Sequence, residues 1–173
     1  LVNVFSKFKD SEVQILDFSE LYDYENEKVI VRKNDFNKNT NEMLDLLKSN
    51  IKSKKYNFIF IIGISKYNSL LDNPTKKRLK LILDNLNKVS NTTFILSDSY
   101  LEYKNLAMED WYKNNIDTKT GIWIGPGVGN QISIKIQDFD INARKINFPQ
   151  MGVIVNDGKY KIVKLLVEGY EED

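Results

Sequence analysis

The chain has 173 residues, with 25 Lys and Arg against 24 Asp and Glu, a formal net charge of +1. That length supports one domain with a sizeable core, and so even a charge balance argues against a generic nucleic-acid binder, which is usually clearly basic. With neither cysteine nor histidine, the chain excludes disulfides, thiolate catalysis, Cys- or His-ligated metal sites and a His general base, leaving Asp, Glu, Lys, Tyr, Ser and Thr for any catalysis.

In chain order, Leu1, Val4, Phe5 and Phe8 recur at helical spacing and predict a helix over residues 1–8. Val13–Phe18 reads as a strand, and Val29-Ile30-Val31 as another short one. Thr40 or Asn41 caps a predicted helix over 41–53, whose buried stripe is Met43, Leu44, Leu46, Leu47 and Ile51. Phe58, Ile59, Phe60, Ile61 and Ile62 form a continuous apolar strand, the pattern of a strand covered on both faces in a parallel sheet. This is the longest apolar run, far short of the roughly 20 residues that span a bilayer.

Asn73 and Pro74 predict a helix start, with Asn as cap, for a helix over 74–89. Thr92–Leu96 is a further strand, and 104–114 a further helix. Strand and helix thus alternate over the first two thirds, as in a parallel α/β sheet. Val13–Phe18, Phe58–Ile62, Phe94–Leu96 and Ile122–Ile124 are expected in one such sheet. In the last third, Ile132, Ile134 and Ile136 alternate with polar residues and predict a strand with one wet face, while Asn156-Asp157-Gly158-Lys159 predicts a hairpin turn. The segment 168–173 reads as an acidic tail.

A phosphate-binding P-loop needs the string G-x-x-x-x-G-K-[ST], and none occurs in the chain. Magnesium chemistry on such a fold needs an acid at the end of an apolar strand. The run Phe58–Ile62 ends instead in Gly63, with no carboxylate before Asp72. Gly125, Gly127 and Gly129 precede a strand pattern rather than a helix, and Pro126 removes an N–H donor, so they predict a tight turn between strands. Lys76, Lys77, Arg78 and Lys80 read as the solvated face of a helix, and the pairs Glu109-Asp110 and Glu25/Glu27 have no spacing that fixes a catalytic geometry. Trp111 and Tyr112, with Tyr100 and Tyr103 nearby, are read either as core or as aromatics for partner contact. Trp123 is read as core.

The stretch Asn57–Asp98, followed by Trp111-Tyr112 and the string GIWIGPGVGNQISIKI, resembles the FtsK/SpoIIIE-type ATPase modules of the type VII secretion coupling protein (the EssC/YukB family). The residues that carry the resemblance are Gly121-Ile122-Trp123-Ile124-Gly125-Pro126-Gly127, then Gln131, and the ending from Gly152-Val153 through Gly158 to Lys164-Leu165-Leu166. It implies a RecA-like, mostly parallel sheet flanked by helices, with antiparallel strands added at the C-terminal end. It implies one degenerate domain over 1–173 whose P-loop would lie before residue 1. Phe58 to Gly63 then correspond to a degenerate Walker B-like strand without its acid, and Ser97-Asp98-Ser99 stand where active motors carry another string.

Three readings follow. The first is a non-catalytic recognition and assembly module at the cytoplasmic face of the membrane. Its partners are secreted helical-hairpin proteins and sibling ATPase modules, without nucleic acid or direct membrane contact. ATP and Mg then belong only to the sibling modules. The second is an active P-loop NTPase completed by an upstream phosphate loop. The third is an unrelated α/β interaction domain, favoured if the final strands do not join the parallel sheet.

Overall fold

A computed structural model describes residues 2–21, 27–50, 55–88, 91–144, 146 and 148–164. The chain divides into two compact units, Leu1–Asn115 and Ile116–Asp173.

The first unit is built on a four-stranded parallel sheet. After the short helix α1 (Val2–Phe5) come β1 (Ser11–Asp17), β2 (Val29–Arg32), α2 (Phe36–Asn50) and β3 (Tyr56–Ile62). A 3-10 turn (Ile64–Lys66) then leads to α3 (Tyr67–Leu70), α4 (Asn73–Leu83), β4 (Thr92–Ser97), α5 (Tyr100–Leu106) and α6 (Asp110–Asn115). The strand order is β2-β1-β3-β4, every pair parallel. The apolar run therefore lies in the sheet interior, where both faces of a strand need apolar cover. On one face Val13, Ile15, Val29, Phe58 and Phe60 pack with Val2 and Phe5 of α1, and the Phe5 and Phe58 rings stack 4.2 Å apart. On the other face Leu16, Ile59 and Ile61 are buried, and α2 packs against β1 and α4.

Several boundaries differ from the sequence expectations. The first helix stops at Phe5, and Ser11 Oγ donates to Phe8 O at 2.8 Å, tying the chain into β1. The second begins at Phe36, so Thr40 and Asn41 lie within it rather than capping it; Thr40 is fully buried. In α4 the cap is Asp72, whose Oδ1 accepts from Thr75 N at 2.8 Å, and the helix ends at Leu83. The expected helix over 104–114 is two short helices, α5 and α6, broken at Ala107–Glu109.

The second unit carries β5 (Gly121–Ile124), a 3-10 turn (Val128–Asn130), α7 (Ile141–Arg144), β6 (Met151–Asn156) and β7 (Lys159–Lys164). Its three strands form a separate antiparallel sheet, β5-β6-β7. Ile122–Ile124 therefore does not join the parallel sheet, which corrects the expectation of one continuous sheet. The turn joining β6 to β7 has Asp157 and Gly158 both at positive φ, 48° and 79°, as a two-residue hairpin requires. Residues 132–136 form no strand. Ile134 and Ile136 still pack on the core of Val128, Ile146, Val153 and Val155, but Gln131 pins the backbone of Ile134: Ile134 N donates to Gln131 Oε1 at 2.7 Å, and Gln131 Nε2 donates back to Ile134 O at 2.9 Å. Among the described residues no helix is long and apolar enough to cross a membrane.

Candidate functional site

Open parallel sheets bind ligands beyond the carboxyl ends of their strands, where the chain leaves neighbouring strands in opposite directions. In the order β2-β1-β3-β4 that place lies between β1 and β3. A cleft of about 500 Å³ opens there, with Ser19, Gly63, Lys66, Ser97, Asp98 and Glu102 in its wall.

The ends of the three strands are fastened to one another. Phe18 N donates to Ile62 O at 2.9 Å, and Gly63 N donates to Ser97 O at 2.8 Å. Gly63 follows directly with φ +66°, in the left-handed region, which directs the chain into the 3-10 turn. The end of the apolar run Phe58–Ile62, with Gly63, is thus placed at the cleft, and Gly63 is a turn residue rather than a carboxylate.

Two carboxylates do stand at this edge, from other strands. Asp17 ends β1 and is fully buried; its Oδ1 accepts from both the backbone N–H and the hydroxyl of Ser19. Asp98 follows β4. Its Oδ2 accepts from Ser65 N at 2.7 Å and its Oδ1 from Ser99 N at 2.8 Å. One acid therefore ties the loop after β3 to the loop after β4, although the residues are far apart in sequence. The backbone donors of Ser19, Ser65 and Ser99, which are the groups a bound phosphate would use, are all occupied by the protein's own carboxylates. Among the described residues of the cleft wall Lys66 is the one cation, and it shares that wall with the acids Asp98 and Glu102.

The aromatic candidates separate. Trp111 has no exposed surface and Tyr112 keeps only 6%, so at these two positions the packing matches the core reading: α6 turns both rings inward. They meet edge to face at 5.8 Å, and Tyr103 meets Tyr112 in the same way. Burial pushes the Tyr112 phenol up, as it does that of Tyr67. Tyr103 is pushed up most, first by burial and then by the nearby Tyr112 and Asp98. Its hydroxyl donates to Leu96 O at 3.3 Å. Since Asn91 O and Ser97 O both face β3, the alternation of a strand puts Leu96 O on the outer edge of β4. Tyr100 is only half-buried, with the Lys104 ammonium 4.8 Å from its ring centre.

The basic cluster of α4 is tied to neighbouring elements. Arg78 Nη2 reaches Asp45 Oδ1 at 2.7 Å, Lys80 Nζ reaches Glu109 Oε2 at 3.2 Å, and Lys76 Nζ donates to Asn68 O at 2.7 Å. Glu109 is thereby engaged, also accepting from Asn68 Nδ2 at 3.3 Å. Glu25 lies outside the described residues. In the second unit the glycine loop is a turn held by Trp123, whose Nε1 donates to Gly125 O at 3.1 Å and Pro126 O at 3.2 Å.

Sequence reasoning noted Asp98 only as a departure from a motif. The usable signal was an acid just past a strand, beside Ser99, which caps α5; its partner Ser65 has no local signature. Comparison with protein-family models, with curated proteins and with solved structures gives no match.

Proposed function

We propose that this chain is a non-catalytic substrate-recognition and assembly module, resembling the degenerate C-terminal ATPase module of the type VII secretion coupling protein. In that reading it works at the cytoplasmic face of the membrane within a membrane-anchored protein. It engages secreted helical-hairpin proteins and sibling ATPase modules, which supply the ATP and Mg chemistry. The observation that carries the non-catalytic part is the use of Asp17 and Asp98. Each is held by backbone N–H groups at the sheet edge, while the end of β3 offers Gly63. An acid committed to stapling loops is poorly placed to hold magnesium or to order an attacking water.

A second reading is favoured by a different observation. The last three strands form their own antiparallel sheet, as an unrelated α/β interaction domain would allow. Both readings leave the first unit without nucleotide turnover. An active NTPase completed by an upstream phosphate loop is the opposing case.

Calorimetric titration with Mg-ATP tests the shared claim. No affinity tighter than about 1 mM, roughly −4 kcal/mol, is expected; micromolar binding overturns it. Titration with helical-hairpin secreted proteins separates the first two readings, since only the secretion module binds them.

A further inference from the structure

The cleft beyond β1, β3 and β4 keeps several groups that the loop fastenings leave free. Asp98 Oδ2 accepts from Ser65 N and its Oδ1 from Ser99 N. Lys66 follows Ser65, and Ser99 caps α5, so one carboxylate fixes both the backbone that carries Lys66 and the backbone that carries Glu102. Glu102 is the third residue after the cap, where a glutamate ordinarily reaches back to the N–H of the cap residue. Here Asp98 holds that N–H, and the Glu102 carboxylate is left out of the capping pair. Neither Glu102 nor Lys66 makes an ion pair among the described residues. Both are exposed in the cleft wall, whose apolar part is Leu21 and Ile62. Leu21 is 88% exposed. Apolar side chains on a concave wall, with one free ammonium and one free carboxylate, are the makings of a small-ligand site.

We propose that this cleft binds a free apolar α-amino acid of about the size of leucine. Glu102 takes the α-ammonium, Lys66 takes the α-carboxylate, and Leu21 with Ile62 covers the side chain. A phosphorylated ligand fits the same wall poorly. The backbone donors of Ser19, Ser65 and Ser99 already serve Asp17 and Asp98, and the one cation of the described wall shares it with two acids. A zwitterion brings no net charge and needs none of those donors. The volume of about 500 Å³ falls within the range of small-molecule pockets. Because Asp98 holds both charge-bearing segments before the ligand arrives, less ordering is left to oppose binding. Both charged contacts face solvent, where each is worth little, so the expected affinity is millimolar. The inference stands independently of the secretion reading.

Titration of the full chain with leucine, followed by amide chemical shifts, is the test. Leucinamide, which lacks the carboxylate, and 4-methylpentanoate, which lacks the ammonium, form the other two arms. Leucine should bind with shifts at Gly63, Lys66 and Glu102, and each analogue should bind about threefold or more weakly. Lys66→Met should erase the preference for leucine over leucinamide, and Glu102→Gln the preference for leucine over 4-methylpentanoate, since each variant removes the group that reads the missing charge. Both positions are exposed, and an unchanged urea midpoint separates loss of binding from loss of fold. Absence of leucine binding at millimolar concentration overturns the proposal. Equal affinity for the three compounds, or a preference that the variants leave intact, overturns it as well. Failure here leaves the secretion reading standing, because that reading is tested with helical-hairpin proteins and Mg-ATP.

Discussion

A Cβ added to Gly63 would lie 3.0 Å from the backbone nitrogen of Ser19. The same glycine has φ +66°, a region that costs an ordinary residue about 1–2 kcal/mol. Gly63→Asp therefore meets strain and crowding together, and the crowded group is the N–H that serves Asp17. We expect Gly63→Ala and Gly63→Asp each to lower stability by about 1–3 kcal/mol, seen as a lower urea midpoint. Neither should gain affinity for Mg-ATP in calorimetry.

Asp98→Ala removes the acceptor shared by Ser65 N and Ser99 N. The expected loss is about 1–3 kcal/mol, because the loop after β3 loses its fastening to β4. Asp98→Asn, which keeps one acceptor oxygen, should lie between wild type and Ala. Equal midpoints for all three in denaturant titration would show that the staple carries no stability.

Trp111→Ala opens a void under α6 and should cost about 3–5 kcal/mol. The readout is equilibrium unfolding by near-ultraviolet circular dichroism. Lost binding of any partner to this variant would reflect lost packing; Tyr100→Ala, at a half-buried position, is the informative aromatic replacement for a contact assay.

The buried phenols set a pH response. Tyr67, Tyr103 and Tyr112 are all raised above the ordinary value of 10.0. For a group whose folded pKa is raised, the stabilising contribution is complete below the unfolded pKa and is lost as pH rises through the folded one. Stability should thus fall above pH 10. Spectrophotometric titration of phenolate absorbance should show these three ionising later in the folded chain than in denaturant; coincident titration would contradict their burial.

The parallel sheet was legible because its signals are local. Phe58–Ile62 is apolar without alternation, and only a strand covered on both faces asks for that. Ile132–Ile136 misled for the same reason. Alternation reports which side chains reach the core, and Ile134 and Ile136 do reach it, but nothing in that pattern distinguishes a ladder from a loop pinned by Gln131. The break between α5 and α6 has neither glycine nor proline to announce it. The cleft was least legible, because its decisive bonds, such as Asp98 to Ser65, join segments brought together only by the sheet.

The bond from Tyr103 to Leu96 O has a bearing on how the protein behaves in concentrated solution. β4 pairs on one side only among the described residues, and Phe94, Ile95 and Leu96 are half-buried. Such an edge is a template on which like chains can polymerise. By occupying one outward carbonyl near the end of so short a strand, Tyr103 shortens the stretch that an incoming chain can zip onto.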